Sequence, residues 1–161
     1  MRKLVFIALA AVSVTGAMAQ NLVVNPGFEL NATGLPTGWT GTQGSFSQVN
    51  QSWGTPPAFA HSVTNWYGMG ATTAATQTDL SQTIATIAGT QYTVSFWAYE
   101  NDTTPTGTLQ VFFNGVGVHA TGTGYTNTYT QFSRVITATS ASTVLNFQGW
   151  EPNSEGVSRI S

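Results

Sequence analysis

Trp97 and Tyr99 stand two residues apart in TQYTVSFWAYE, residues 90–100. In an extended chain successive side chains alternate between faces, so these two rings share one side and Tyr92, Val94, Phe96 and Ala98 take the other. Flat rings cover the C–H face of a sugar ring at low entropic cost, and planar amides satisfy the hydroxyls around it. Amides are at hand. Gln110 and Phe112 alternate with Leu109, Val111 and Phe113 in LQVFFNGVGV, residues 109–118, and Asn146 and Gln148 lie further along. With Val94 and Leu109 on the core side, Trp97, Tyr99, Phe112 and Gln110 form one aromatic-and-amide shelf that Asn146 and Gln148 join. The alternative is that a loop such as QSWGTPPAF folds over the rings and makes them a second small core.

Other aromatic residues are candidates on weaker grounds. Trp53, Trp66 and Tyr67 lie in Gly-, Pro- and Asn-rich stretches that read as loops, where aromatic rings either meet a ligand or anchor the loop. Trp39, just after Thr37-Gly38, reads as core, and Trp150 beside Glu151 offers a ring next to a carboxylate. The acids are Glu29, Asp79, Glu100, Asp102, Glu151 and Glu155. A glycosidase needs two facing carboxylates, whereas Glu100 and Asp102 flank Asn101 in what reads as a solvated turn. His61 and His119 are far apart, and His61 alternates with Phe59 and Val63 as a half-buried strand residue does. The HExxH, GxSxG, SxxK and phosphate-loop patterns do not occur. The expectation is a protein that is not an enzyme.

The elements that must position these residues are strands. Period-two alternation recurs at 45–49, 58–63, 80–86, 90–100, 132–138 and 143–147. Asn114-Gly115 between two such runs predicts a hairpin with a type I′ turn, and GTPP, NDTTPTG and TGTGYTN read as loops. In NLVVNPGFEL, residues 21–30, Leu22–Val24 reads as a short edge strand, Pro26 and Gly27 break it, and Phe28 turns into the core. Roughly eight short strands about ten residues apart predict an all-β protein, an antiparallel β-sandwich or jelly roll.

Residues 1–19 read as a signal peptide: Arg2 and Lys3, an apolar run from Leu4 to Val14, and Ala17-Met18-Ala19 before the cut. That leaves 20–161 as a single β-sandwich domain, secreted or periplasmic, with no membrane contact after cleavage. Only 6% of residues are charged, and two of the four basic residues leave with the leader. Such a chain cannot neutralise a row of phosphates, so nucleic acid is excluded as a partner. There is no cysteine, so an apolar core alone must hold an exported fold.

NLVVNPGFE followed by GLPTGWT resembles the opening of galactose-binding-like jelly rolls, carbohydrate-binding modules of the family 4, 9 and 22 type and related modules of bacterial exported (PEP-CTERM-like) proteins. DLSQTIATIAGTQYTVSFWAYE resembles their central strand pair and YTQFSRVITATSASTVLNFQGW the penultimate pair, so the likeness spans nearly all of 20–150. It implies a galactose-binding-domain-like fold and non-catalytic binding of a polysaccharide or cell-surface glycan. The rival is a structural or adhesive surface or matrix protein without a defined sugar site. The match departs at the C-terminus, where GVSRIS stands in place of Leu-Asp-Asp-Val-Ser, and the last strand is expected to be short or truncated. In such modules an early Glu and an Asp of the last strand often share a structural Ca2+. Glu29 matches the first, and Ser158 and Arg159 replace the Asp pair. No cofactor is required by the pattern, and either Ca2+ or an Arg159–Glu29 ion pair serves that corner.

Overall fold

The computed structural model describes residues 20–29, 35–42, 48–49, 67–69, 77–100, 108–120, 128–150 and 158–160. Among these, ten strands form: β1 (Thr40–Thr42), β2 (Gln48–Val49), β3 (Tyr67–Met69), β4 (Thr78–Ala85), β5 (Gln91–Glu100), β6 (Thr108–Phe113), β7 (Val116–Ala120), β8 (Thr130–Thr137), β9 (Ser142–Trp150) and β10 (Ser158–Ile160). They pair antiparallel into two five-stranded sheets, β1-β4-β9-β6-β7 and β2-β3-β10-β5-β8. The all-β sandwich expected from the alternation is the observed architecture.

Inward positions from both sheets fill the space between them. The first sheet contributes Leu80, Ile84, Leu109, Val111, Phe113, Leu145 and Phe147, and the second Val94, Phe96 and Ala98. Full burial of such a side chain stabilises by about 1.5–3 kcal/mol, which suffices to fix each strand's parity. Thus Thr93, Ser95, Trp97 and Tyr99 face away from the core, as expected. Gly149 lets the sheets close up: a Cβ there would lie 2.6 Å from Met69 Cβ on β3. The β6–β7 hairpin turns at Asn114 (φ 52°) and Gly115 (φ 77°), the two positive φ values a type I′ turn demands. A register shift follows between Val111 and Phe112.

The N-terminal segment departs from expectation. Leu22–Val24 is not a strand but a bent strap, because a side chain takes the place of a ladder neighbour. Gln82 of β4 is buried, accepts from Val24 N at 2.8 Å, and donates through Nε2 to Val24 O at 3.0 Å and Gly38 O at 2.9 Å. Phe28 then enters the core, as the sequence suggests. Its ring lies 5.4 Å from Trp39 and 6.2 Å from Tyr67 of the second sheet, while Trp39 reaches Phe147 of the first at 6.0 Å. Phe28 and Trp39 are therefore a wedge across the mouth of the sandwich.

One other expectation changes. Tyr67 is not a loop residue but part of β3, with no exposed surface. The run at 45–49 yields β2 over Gln48–Val49, and that at 58–63 lies outside the described residues. The C-terminal strand β10 is short, as expected, at three residues, and it is inserted between β3 and β5.

At the opposite side from β1, the edge strands β7 and β8 leave a cavity of about 100 Å³ lined by Val94, Phe96, Val118, His119, Phe132, Ser133 and Arg134. The His119 ring lies 4.0 Å from Phe132 and 5.5 Å from Phe96, and its Nε2 is sealed from solvent with no hydrogen-bond partner. Burial pushes the imidazole below its ordinary pKa of 6.5. The unfolded chain therefore takes up a proton on this ring at higher pH than the folded chain does. The contribution is fully present above pH 6.5 and is lost as the pH falls below it toward the depressed folded value. Urea denaturation at about pH 5 and about pH 7.5 should show lower stability at the acid end. His119→Phe, which keeps the ring packing, should shrink that difference; an unchanged difference would assign it to the carboxylates.

Candidate functional site

The outer face of the first sheet carries the richest polar chemistry. Strand pairing places Asp79, Gln148 and Gln110 in one row across β4, β9 and β6, with Thr42 of β1 beside Asp79. The adjacent row reads Thr40, Ser81, Asn146 and Phe112, and Trp150 stands opposite Thr108. Neighbouring strands lie about 4.8 Å apart, so Asp79 to Gln110 spans about 10 Å. Asp79, Ser81, Gln110, Phe112, Asn146, Gln148 and Trp150 are all half-buried, as side chains standing on an outer sheet face are.

Part of this surface is tied together internally. Thr42 Oγ1 donates to Asp79 Oδ2 at 3.4 Å and accepts from Asp79 N at 3.3 Å. The Thr40 and Ser81 hydroxyls meet at 3.2 Å, and Gln77 Nε2 donates to Gln148 Oε1 at 3.0 Å. Two acceptors are left over. Asp79 Oδ1 and Asn146 Oδ1 are shielded from solvent and receive no hydrogen bond. They sit on neighbouring strands in diagonal positions, where side chains are about 7–8 Å apart. A buried acceptor without a donor costs about 1–3 kcal/mol. The terminal torsion of Asp and Asn is broad, so a modest turn presents either oxygen to an arriving hydroxyl.

The shelf expected from the sequence divides. Phe112 and Gln110 lie on the outside of the first sheet with Asn146 and Gln148, whereas Trp97 and Tyr99 lie on the outside of the second, on the far side of the sandwich. All four point away from the core, but parity assigns a side chain to a side of its own sheet and does not say which sheet a strand joins. On the second face Trp97 stands opposite Gln131, and the Tyr99 ring lies 5.4 Å from Tyr129. Trp53 and Trp66 lie outside the described residues, as does Glu151. Tyr67 is withdrawn into the core and presents no surface to a ligand. Trp39 is core, as expected.

Glu29 is exposed, and its main chain holds the corner: its N–H donates to Asn25 Oδ1 at 2.8 Å, and its carbonyl accepts from Asn25 Nδ2 at 2.9 Å and Thr37 N at 2.9 Å. Ca2+ takes six to eight oxygens. Among the described residues no three His, Cys, Asp or Glu side chains converge, and Glu29 brings one carboxylate toward such a set. Arg159 pairs through its backbone with Tyr99 and Gly68.

Asp79 and Ser81 escaped the sequence reading as site residues. The signal is present in their alternation with Leu80, Gln82 and Ile84; the strand expected over 80–86 begins one residue after Asp79, whereas β4 begins at Thr78.

No protein-family model matches the sequence, and no curated protein does. Solved structures do match. TmCBM61, in complex with β-1,4-galactotriose, superposes with a TM-score of 0.66 over 89% of this chain and 95% of its own, at 18% identity. The fold is that of a carbohydrate-binding module. The carbohydrate-binding-module fold observed here thus confirms the architecture that the opening and strand-pair motifs implied. The enzymatically active domain of bacteriophage CBA120 tailspike protein 4 also matches, with a TM-score of 0.57 and 18% identity over 87% of this chain. This chain spans 20% of that one. A further structure, described as CBM4, matches over 60% of this chain and 68% of its own at 15% identity, with a TM-score of 0.44.

Proposed function

We propose that the chain is a secreted, non-catalytic carbohydrate-binding module that recognises extracellular polysaccharide by aromatic stacking and amide hydrogen bonds. Its site is the outer face of the first sheet. The observation that carries this reading is the pair of acceptors without donors, Asp79 Oδ1 and Asn146 Oδ1, beside the Phe112 ring and the Gln110 and Gln148 amides. Sugar hydroxyls are the donors such a face lacks, and a pyranose C–H face suits Phe112. The likeness to TmCBM61, whose structure holds a β-1,4-galactotriose, supports the same reading. Asp79 is the carboxylate on this face among the described residues, which suits binding better than glycoside hydrolysis, a reaction of paired carboxylates. Export rests on the leader pattern of residues 1–19, which lie outside the described residues.

Native gels containing β-1,4-galactan, xylan or lichenan test this. Retardation is expected in at least one gel. Phe112→Ala should weaken it about tenfold, the loss of roughly 1.4 kcal/mol, and Gln110→Ala by a smaller factor. Trp97→Ala, on the far face, should leave it unchanged. A loss with Trp97→Ala and none with Phe112→Ala would move the site to the second sheet. Identical mobility in every gel would favour the structural or adhesive alternative.

A further inference from the structure

We infer that this face selects neutral glycans and rejects glycans bearing carboxylates, and that Asp79 is the residue that discriminates; the inference rests on the proposed sugar site. The chain has four Lys and Arg residues: Arg2, Lys3, Arg134 and Arg159. Arg134 is on β8 and Arg159 on β10, both in the second sheet, and Arg2 and Lys3 fall in the leader pattern. The first sheet therefore contains no lysine or arginine at all. Its one histidine, His119, is packed between the sheets against Phe96 and Phe132, facing away from the outer surface.

Against that background the unmet hydrogen-bonding capacity that is shielded from solvent on this face is on the acceptor side. Asp79 Oδ1 and Asn146 Oδ1 have no donor, and Asp79 Oδ2 receives a single long bond from Thr42. A neutral sugar brings hydroxyls that donate to such oxygens. A uronate brings a carboxylate, which accepts only and carries the same sign as Asp79. In a half-buried setting, water screens that repulsion less than it does between free solutes. Recognition of uronates relies on forked guanidinium or ammonium donors, and this sheet has neither. Gln148, the cross-strand neighbour of Asp79, cannot supply the missing charge, and its Oε1 already accepts from Gln77.

The β-1,4-galactan and lichenan gels above, each run beside the same polymer oxidised at C6 to uronates, and the xylan gel, whose pentose units have no C6, run beside glucuronate-substituted xylan, decide the matter. The wild-type chain should be retarded at least tenfold more strongly by the neutral member of a pair. Asp79→Asn keeps an acceptor oxygen and removes the charge. It should narrow the neutral-to-oxidised ratio at least threefold by strengthening retardation by the oxidised member, and 0.5 M NaCl should narrow the wild-type ratio in the same direction. Equal retardation by both members of a pair would overturn the inference and leave the sugar site standing. So would a ratio that Asp79→Asn does not change, which would trace the preference to loss of the C6 hydroxyl. Absence of retardation in every neutral gel would overturn the underlying sugar site and the inference with it. Circular dichroism of Asp79→Asn confirms folding, and a variant that fails to fold is replaced by Thr42→Val. That substitution removes the donor on Asp79 Oδ2 and should widen the ratio; no widening counts against the inference.

Discussion

Trp39→Ala should lower stability by about 4 kcal/mol, the largest effect of any single substitution considered. The indole is 5% exposed and braces both walls of the sandwich, touching Phe147 directly and Tyr67 through Phe28. Truncation removes that area, leaves a cavity at the mouth, and takes away the Nε1 donor that the Asn25 carbonyl meets at 3.1 Å, leaving that oxygen the Phe28 N–H alone. In a domain of this size the midpoint of thermal unfolding should fall by roughly 10 °C, measured by far-ultraviolet circular dichroism so that the lost fluorophore does not matter. Trp39→Phe, which retains part of the packing, should recover more than half. A loss below about 1 kcal/mol would mean that the wedge is not what joins the sheets there.

Gln82→Leu should cost about 3 kcal/mol. The volumes are similar, so the effect isolates the three hydrogen bonds to Val24 and Gly38. An aliphatic side chain leaves the Val24 N–H and two carbonyls without partners at the edge of the core. Hydrogen exchange should locate the damage, with the Val24 and Phe28 amides losing protection well before the β4 and β9 amides. Gln82→Glu should be nearly as harmful near neutral pH, because it keeps the acceptor for Val24 N and sets a negative oxygen against two carbonyls. Trp39→Ala and Gln82→Leu release the same strap, so the double variant should lose less than the sum of the two. Additive losses would show that the strap and the wedge hold independently.

Most of the fold is readable in the residues because nearly every long strand has one wet face. Alternation in 90–100 and 109–113 assigns Val94, Phe96, Leu109 and Val111 to the core, and Asn114-Gly115 gives the turn. The site was harder to read for a physical reason. A side-chain period of two reports inside or outside, and a sandwich has two outsides. Whether Phe112 and Trp97 share one depends on β6 pairing with β9 and β5 with β8, contacts between residues distant in sequence that no local pattern encodes. Tyr67 misled because its Gly, Pro and Asn neighbours read as loop, while β3 is only three residues long and has no exposed face to produce alternation. At Leu22–Val24 the apolar run does mark backbone that needs partners, but an amide side chain supplies them.

The position of β10 governs when the molecule can assemble. In the second sheet, β3 and β5 do not touch as neighbours; each hydrogen-bonds to Ser158–Ile160. Among the described residues these three leave the ribosome last. Until they arrive, β2 and β3 have no seam to join, and Met69 and Tyr67 lack their place beneath the wedge. A nascent chain therefore lacks a closed second sheet until they have emerged. The commitment to the native topology waits on this long-range and correspondingly slow pairing, which completes the second sheet.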